Sequence, residues 1–373
     1  MTVRDATDAT PTPRRVLVAT TVHDPNDARI LHRQIAALQS AGWSVTYVAP
    51  FESDAPRPDG VATVPVPRSS GRRRLRALRI ARKTLRHLAP DHDRILIHDP
   101  DLLPAVWRLA RKHPITWDVH EDAAAAVRDR AWIPRPLKGI VRWGLRRVER
   151  RAERRLNLIL AESSYRGRFR GEHPVIPNRP WTPTDTGYPD GTPRAIYVGR
   201  LSRSRGLREL VALGERLHPG TVITLVGAVD ATDRDLLEAA SRAGKVDWRG
   251  YVPNDRALEL VRTSVCGLSL LHDEPNFLGS MPTKVLEYLA HGVPAVTTPV
   301  PLARDVVERY DAGLVVPFED VDAAADAVTS LVGDPELQQR LGANGHRAIR
   351  DDLGWEQVVP LFLDSLEQAR AHA

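Results

Sequence analysis

The chain has 373 residues, of which 42% are hydrophobic and 27% charged, with a formal net charge of +6. That length exceeds what one hydrophobic core usually organises, so two domains are expected, and the hydrophobic share excludes a wholly disordered chain. A single cysteine, Cys266, excludes a disulfide framework and fits a reducing cytosol, while the basic excess points to anionic partners: nucleotides, phosphates, acidic lipid surfaces or nucleic acid.

No apolar run approaches membrane-spanning length, and the opening MTVRDATDATPTPRR lacks the apolar stretch of a signal peptide, so residues 1–13 read as a disordered tail. Arg15 to Thr20 gives a strand, Asp27 to Ser40 a helix with Ile30, Leu31, Ile35 and Leu38 at helical spacing, Gly42 a stop, and Val45 to Ala49 the next strand. The same alternation continues with strands at Arg94 to Ile97, Ile115 to Val119 and Leu156 to Ala161, and a helix from Leu102 to Lys112. A Pro-, Gly-, Asp- and Thr-rich stretch then precedes a second set of strands: Ala195 to Val198, Val222 to Val226, Cys266 to Leu270, Ala295 to Thr298 and Leu314 to Val316. Strands alternating with helices argue for two Rossmann-like, doubly wound parallel-sheet domains facing across a cleft. The expected boundaries are 14–180, a linker at 181–193, 194–352, and a C-terminal helix in 353–373 packing back toward the first domain. Ligands of such sheets bind at the carboxyl ends of the strands.

The stretch SMPTKVLEYLAHGVPAVTT, Ser280 to Thr298, is the most informative. Pro282 stands in the first helical turn, where a missing N–H costs nothing and exposed amides can meet a phosphate. Lys284 and Glu287, three apart, share one side of that helix, with Val285, Leu286 and Leu289 nearer the core side.

The stretches HDPNDARILHRQIAALQSAGWSVTYVAP, ILIHDPDLLPA, ITWDVHED, YVGRLSRSRGL, ITLVGAVD, VDWRGYVP, the Ser280 segment and DAGLVVPFEDVDAAADAV together span nearly the whole chain. Their order and spacing resemble the family 4 glycosyltransferases of the GT-B fold. The resemblance implies a retaining, nucleotide-sugar-dependent enzyme with no metal or other cofactor. It implies that Arg200 and Arg205 neutralise the leaving diphosphate; from the residues alone they read equally as a solvated basic loop. Lys284 would assist near the phosphate, and Glu287 would hold the ribose hydroxyls, its alternative being an exposed helix residue. The donor would also lie against Gly199, Gly227, Tyr251, Gly279, Ser280, Met281, Pro282 and Thr283. The family's first glutamate would fall at Gly279, so this chain departs from the pattern where the donor sugar is usually held.

By the same resemblance His120, which closes the strand ITWDVH, faces the donor sugar, and His23, Asp27, His98, Asp99 and Glu121 lie on the acceptor side. Asp27 reads alternatively as a helix cap. Asp99 and Asp101 in DPD imitate an Asp-any-Asp metal motif, but no metal is expected there.

Two basic helices remain. One carries the stripe Leu75, Leu78, Ala81, Leu85 and Leu88; the other, Leu137 to Leu156, has Ile140, Val141, Val148 and Ala152 inward and Arg142, Arg146, Arg147, Arg150 and Arg154 outward. They read either as solvated faces or as a peripheral contact with an anionic membrane, at the inner face of the cell membrane. The expected partners are a nucleotide-sugar donor and a sugar-containing or lipid-linked acceptor, and no nucleic acid. Cell-surface polysaccharide or glycolipid assembly is the expected setting; decoration of a small metabolite and nucleotide-sugar 2-epimerisation are the alternatives.

Overall fold

The computed structural model of the protein describes residues 13–53, 56–122, 127 and 134–371. All but the last residue of the expected tail therefore lies outside the described residues. The chain divides into two compact units, Met1–Pro177 with Val359–Ala373, and Asn178–Val358.

The first unit holds β1 (Arg15–Ala19), β2 (Ser44–Ala49), β3 (Ala62–Pro65), β4 (Arg94–Ile97), β5 (Ile115–Val119) and β6 (Asn157–Leu160), ordered β3-β2-β1-β4-β5-β6. The second holds β7 (Arg194–Val198), β8 (Val222–Val226), β9 (Asp247–Gly250), β10 (Cys266–Ser269), β11 (Ala295–Thr297) and β12 (Gly313–Val315), ordered β12-β11-β10-β7-β8-β9. Every pairing is parallel. Parallel strands covered on both faces need nearly continuous apolar runs; VLVA in β1 is one, and VITLV and ITWDV are largely apolar with Thr224, Thr116 and Asp118 buried among Ile115, Trp117, Ile223 and Leu225. In each sheet the order reverses beside the first strand, between β1 and β4 and between β7 and β10, so each has a crevice at the carboxyl ends there.

The structure departs from the sequence expectations in several places. The edge strands β3 and β9 were not expected as strands. The helix expected from Asp27 opens as a wider π-type turn, Ile30–Ile35, before Ala36–Ser40, and Leu102 to Lys112 is broken into Leu103–Val106 and the 3-10 turn Leu109–Arg111. Residues 181–193 belong to the second unit, held by Thr182 to Glu356 and by the Gly187 amide to the His291 carbonyl. The helix Val359–Glu367 belongs to the first, with Phe362 and Leu366 buried and Arg94 donating to the carbonyls of Leu366 and Glu367. Both basic helices form, as Arg74–Leu88 and Arg135–Glu153, but Ile140 and Val141 are exposed rather than inward, and Leu75 of the first helix's stripe is exposed as well. No helix among the described residues is long and apolar enough to cross a membrane.

Candidate functional site

In the first unit the ends of β1, β4 and β5 bring Thr20 to His23, His98 with Asp99, and His120 to one carboxyl edge. Asp99 is buried and accepts from the Thr20 and Thr21 hydroxyls at 3.0 and 2.9 Å, from the Val22 amide at 3.1 Å, and from the Thr21 amide. It therefore shapes the loop that carries His23. The Nε2 atoms of His23 and His120 lie 2.9 Å apart, so one ring donates and the other accepts, while His120 Nδ1 meets the Asp118 carbonyl at 3.1 Å. Burial above all holds the His120 pKa well below the usual imidazole range; Asp118 opposes the shift, and His98, His23 and Arg29 add to it.

Behind these rings lies a buried group that sequence reasoning missed. Asp118, the last residue but one of a largely apolar strand, accepts from Arg29 through two bonds of 2.7 and 2.8 Å and from Gln34 at 2.9 Å, and His98 Nδ1 stands 3.3 Å away. Burial alone would raise the Asp118 pKa, but the charge and hydrogen bonds of Arg29, with His98, hold it well below the carboxylate range. A lone acid in ITWDV was the available signal, because a buried charge demands a partner. Asp27 acts as the cap that one reading expected: its Oδ1 accepts from the amides of Arg29 and Ile30 at 2.8 and 3.0 Å. Glu121 is exposed, and its carbonyl accepts from Arg168. Asp101 is engaged by Arg74 and Ser69.

In the second unit, Gly199 ends β7 and Gly227 ends β8. A Cβ on Gly227 would stand 1.9 Å from the Gly199 carbonyl oxygen, so only glycine allows these loops to touch. Gly206 likewise has φ +82° and lies against Leu270, which seats the loop 199–206 on the end of β10. The helix Thr283–Ala290 begins after Pro282, which caps it from outside rather than standing within its first turn. Val285, Leu286 and Leu289 are buried as expected, and Glu287 lies one turn after Lys284.

Lys284 does not stand out in solvent. Its Nζ is buried, 3.6 Å from the Tyr197 ring centroid, and has no hydrogen-bond partner among the described residues. Burial, with the charge of Arg205, holds its pKa well below the usual amine range. Arg205 hydrogen-bonds to Tyr197 and lies 5.4 Å over the Phe277 ring. Arg205, Lys284, Tyr197 and Gly199 thus converge at the end of β7. The Arg200 side chain is turned elsewhere, exposed and 2.6 Å from Asp230. Tyr251, after β9, is 76% exposed. Met281 and Thr283 are partly buried beside the helix start. Cys266 is buried, and its thiol pKa is pushed up to about 12 by burial.

Among the described residues, two sets of side chains bring potential metal-ligand atoms within 4.8 Å of one another: His98, Asp118 and His120, and Glu209, His272 and Glu319. In the first, Arg29 already neutralises Asp118, so a divalent ion would meet a guanidinium at that carboxylate. In the second, His272 is 3.2 Å from Glu209 and forms an ion pair with it when protonated.

Residues 182–348 match the family described as Glycosyl transferases group 1. Over 176 residues the chain is 29% identical to a glycogen synthase of Mycobacterium tuberculosis, covering 45% of this chain and 41% of that protein. It is 31% identical over 193 residues to the 2-deoxystreptamine N-acetyl-D-glucosaminyltransferase of Streptomyces fradiae, covering 50% and 43%. The matches thus span about half or less of these relatives' length. Among solved structures, Anabaena HepE in complex with UDP and glucose aligns over 95% of this chain and 99% of its own, with TM-score 0.67 and 13% identity, a likeness of fold. With two six-stranded parallel sheets the chain has a GT-B-like two-domain α/β fold, and the family match lies in its second unit, over residues 182–348.

Proposed function

We propose that this chain is a retaining glycosyltransferase. Its second unit binds a nucleoside-diphosphate sugar at the carboxyl edge of its sheet, and its first unit supplies the acceptor side. The observation that carries the reading is the grouping of Arg205 with the buried amine of Lys284 at the end of β7. Two nitrogen groups stand there together, and among the described residues no carboxylate pairs with either, an arrangement that a diphosphate would complete.

In the reaction the bond between the anomeric carbon and the diphosphate oxygen breaks, and a bond from the acceptor hydroxyl oxygen to that carbon forms on the same face. The hydroxyl proton passes to the departing phosphate. Arg205 and Lys284 stabilise the charge that develops on the leaving group. Arg200 joins them by exchanging Asp230 for the diphosphate, which is inexpensive because an exposed pair is worth about 0–1 kcal/mol. Glu287 accepts from the ribose hydroxyls. The loop amides from Gly279 to Thr283, with Gly199 and Gly227, lie along the donor, and Tyr251 lies near the base.

His120 donates to or accepts from a sugar hydroxyl. Its neutral state, favoured by burial, leaves it free to do so without adding a cation beside the anomeric carbon. His23, bonded to it, reaches the acceptor side, and Glu121 extends that side. His98, Asp99 and Asp27 position these groups without touching substrate. The reaction as written needs no metal ion.

UDP-sugars are the first donors to test, given the UDP in the HepE complex, and a cell-surface glycan or lipid-linked sugar is the proposed acceptor. A thermal-shift screen of UDP-, GDP- and dTDP-sugars identifies the donor, since a ligand bound to the folded state alone raises the melting temperature. The anomeric configuration of the product then tests the route; an inverted product rules it out.

A further inference from the structure

The outer face of the helix Arg135–Glu153 takes no part in the site above. Ile140, Trp143, Arg147, Arg150 and Arg154 recur three and four residues apart, so they follow one side of the helix and its exit, whereas Glu149 and Ala152 are buried on the opposite side. Ile140 and Trp143 are 65% and 61% exposed, and Leu137 beside them is also exposed. The Arg147 guanidinium lies 4.9 Å over the Trp143 ring, and that of Arg151 lies 5.2 Å over Trp107. Further along, Arg147, Arg150, Arg151, Arg154 and Arg170, with Val148, line a pocket of about 350 Å³.

None of these five arginines has a carboxylate partner among the described residues. The two acids of the helix are engaged elsewhere: Glu149 with Arg146 and Arg168, and Glu153 with the amides of Arg170 and Gly171 and with His173. The face is therefore an apolar ridge running into a cluster of uncompensated guanidinium groups. The helix leads directly into the amino end of β6, which sets the arginine end apart from the carboxyl edge that carries His120.

We propose that this face docks on a bilayer bearing anionic phospholipid headgroups. Ile140 and Trp143 enter the interfacial layer, and the five arginines take headgroup phosphates. A dissolved polyanion would satisfy only the arginines and leave the apolar ridge in water. A bilayer satisfies both, since indole sits well where an apolar layer meets a wet one, and guanidinium is suited to phosphate.

The test is sedimentation of the full chain with phosphatidylcholine vesicles, with and without about one-third phosphatidylglycerol, alongside the triple variant Arg147→Gln, Arg150→Gln, Arg154→Gln and the double variant Ile140→Ser, Trp143→Ser. Expected is binding to the anionic vesicles only, weakened roughly a hundredfold in the triple variant. In the double variant, the binding that survives raised salt should be lost. Because all five positions are exposed, melting temperature and basal transfer to a soluble acceptor should not change; Arg170→Gln, outside the helix, provides a second reading of the pocket should the triple variant misfold. The proposal is overturned if anionic vesicles do not retain the chain, or if they retain all variants equally. It is also overturned if tripolyphosphate or a single-stranded oligonucleotide binds the arginines while vesicles do not, or if Trp143→Ser dissolves a dimer that shows no vesicle binding. Since basal transfer is read separately, failure here leaves the donor assignment intact.

Discussion

The amine of Lys284 packs 3.6 Å from the centre of the Tyr197 ring, buried and without a hydrogen-bond acceptor among the described residues. Such a group costs stability while the site awaits its ligand, and becomes useful only when an anion arrives. Lys284→Met should therefore raise the stability of the ligand-free protein by about 1–3 kcal/mol while weakening donor binding about tenfold or more. Thermal melts and calorimetric titration of the same preparation check both halves. A variant that melts lower and binds donor as tightly as the parent would contradict this account of Lys284.

Arg29 and Asp118 form a wholly buried pair, and removing one member leaves a charge without its partner. Arg29→Met should cost about 3–5 kcal/mol in urea unfolding, and Arg29→Met with Asp118→Leu should recover much of that loss. Equal losses in the single and double variants would show that shape, not charge, is what the pair supplies.

His291 and His120 are both held neutral chiefly by burial, His291 with a pKa lowered to about 4 and with Arg262 and His346 reinforcing the shift. The unfolded chain takes up protons at these positions from about pH 6.5 downward and the folded chain does not, so stability falls as pH falls through that value. For His291 the loss between pH 6.5 and pH 5 is about 2 kcal/mol, ending near the folded pKa. Asp118 adds nothing in that window, because its contribution is lost only below about pH 4, where the unfolded carboxylate protonates. Urea unfolding at pH 7.5 and pH 5 should show the fall, and His291→Gln should flatten it. A parent protein equally stable at both values would remove burial as the cause.

What the sequence made legible follows from which interactions are local. The central strands announce themselves because both faces are buried, leaving nearly unbroken apolar runs such as VITLV. The edge strands ATVP and DWRG, half solvated and mixed in character, carry no such run. Helical spacing placed Lys284 and Glu287 on one side of their helix, but it could not reveal that the lysine folds back onto Tyr197, a residue 87 positions earlier. The Arg29–Asp118 pair is hidden for the same reason, its members 89 residues apart. Ile140 and Val141 were misplaced because an apolar residue in a basic helix was assumed to face a core, whereas here it faces outward.

Arg205 and Glu287 carry the central claim, that the second unit grips the diphosphate and ribose of one nucleotide sugar. Calorimetric titration of the donor identified in the thermal-shift screen into the parent, Arg205→Ala, Glu287→Gln and the remote control Lys245→Ala tests it most directly. Loss of a charge-assisted bond, worth about 1.5–3 kcal/mol, should weaken binding by roughly ten- to a hundredfold at Arg205 and at Glu287, with Lys245→Ala unchanged. Binding as tight in Arg205→Ala and Glu287→Gln as in the parent would contradict the account.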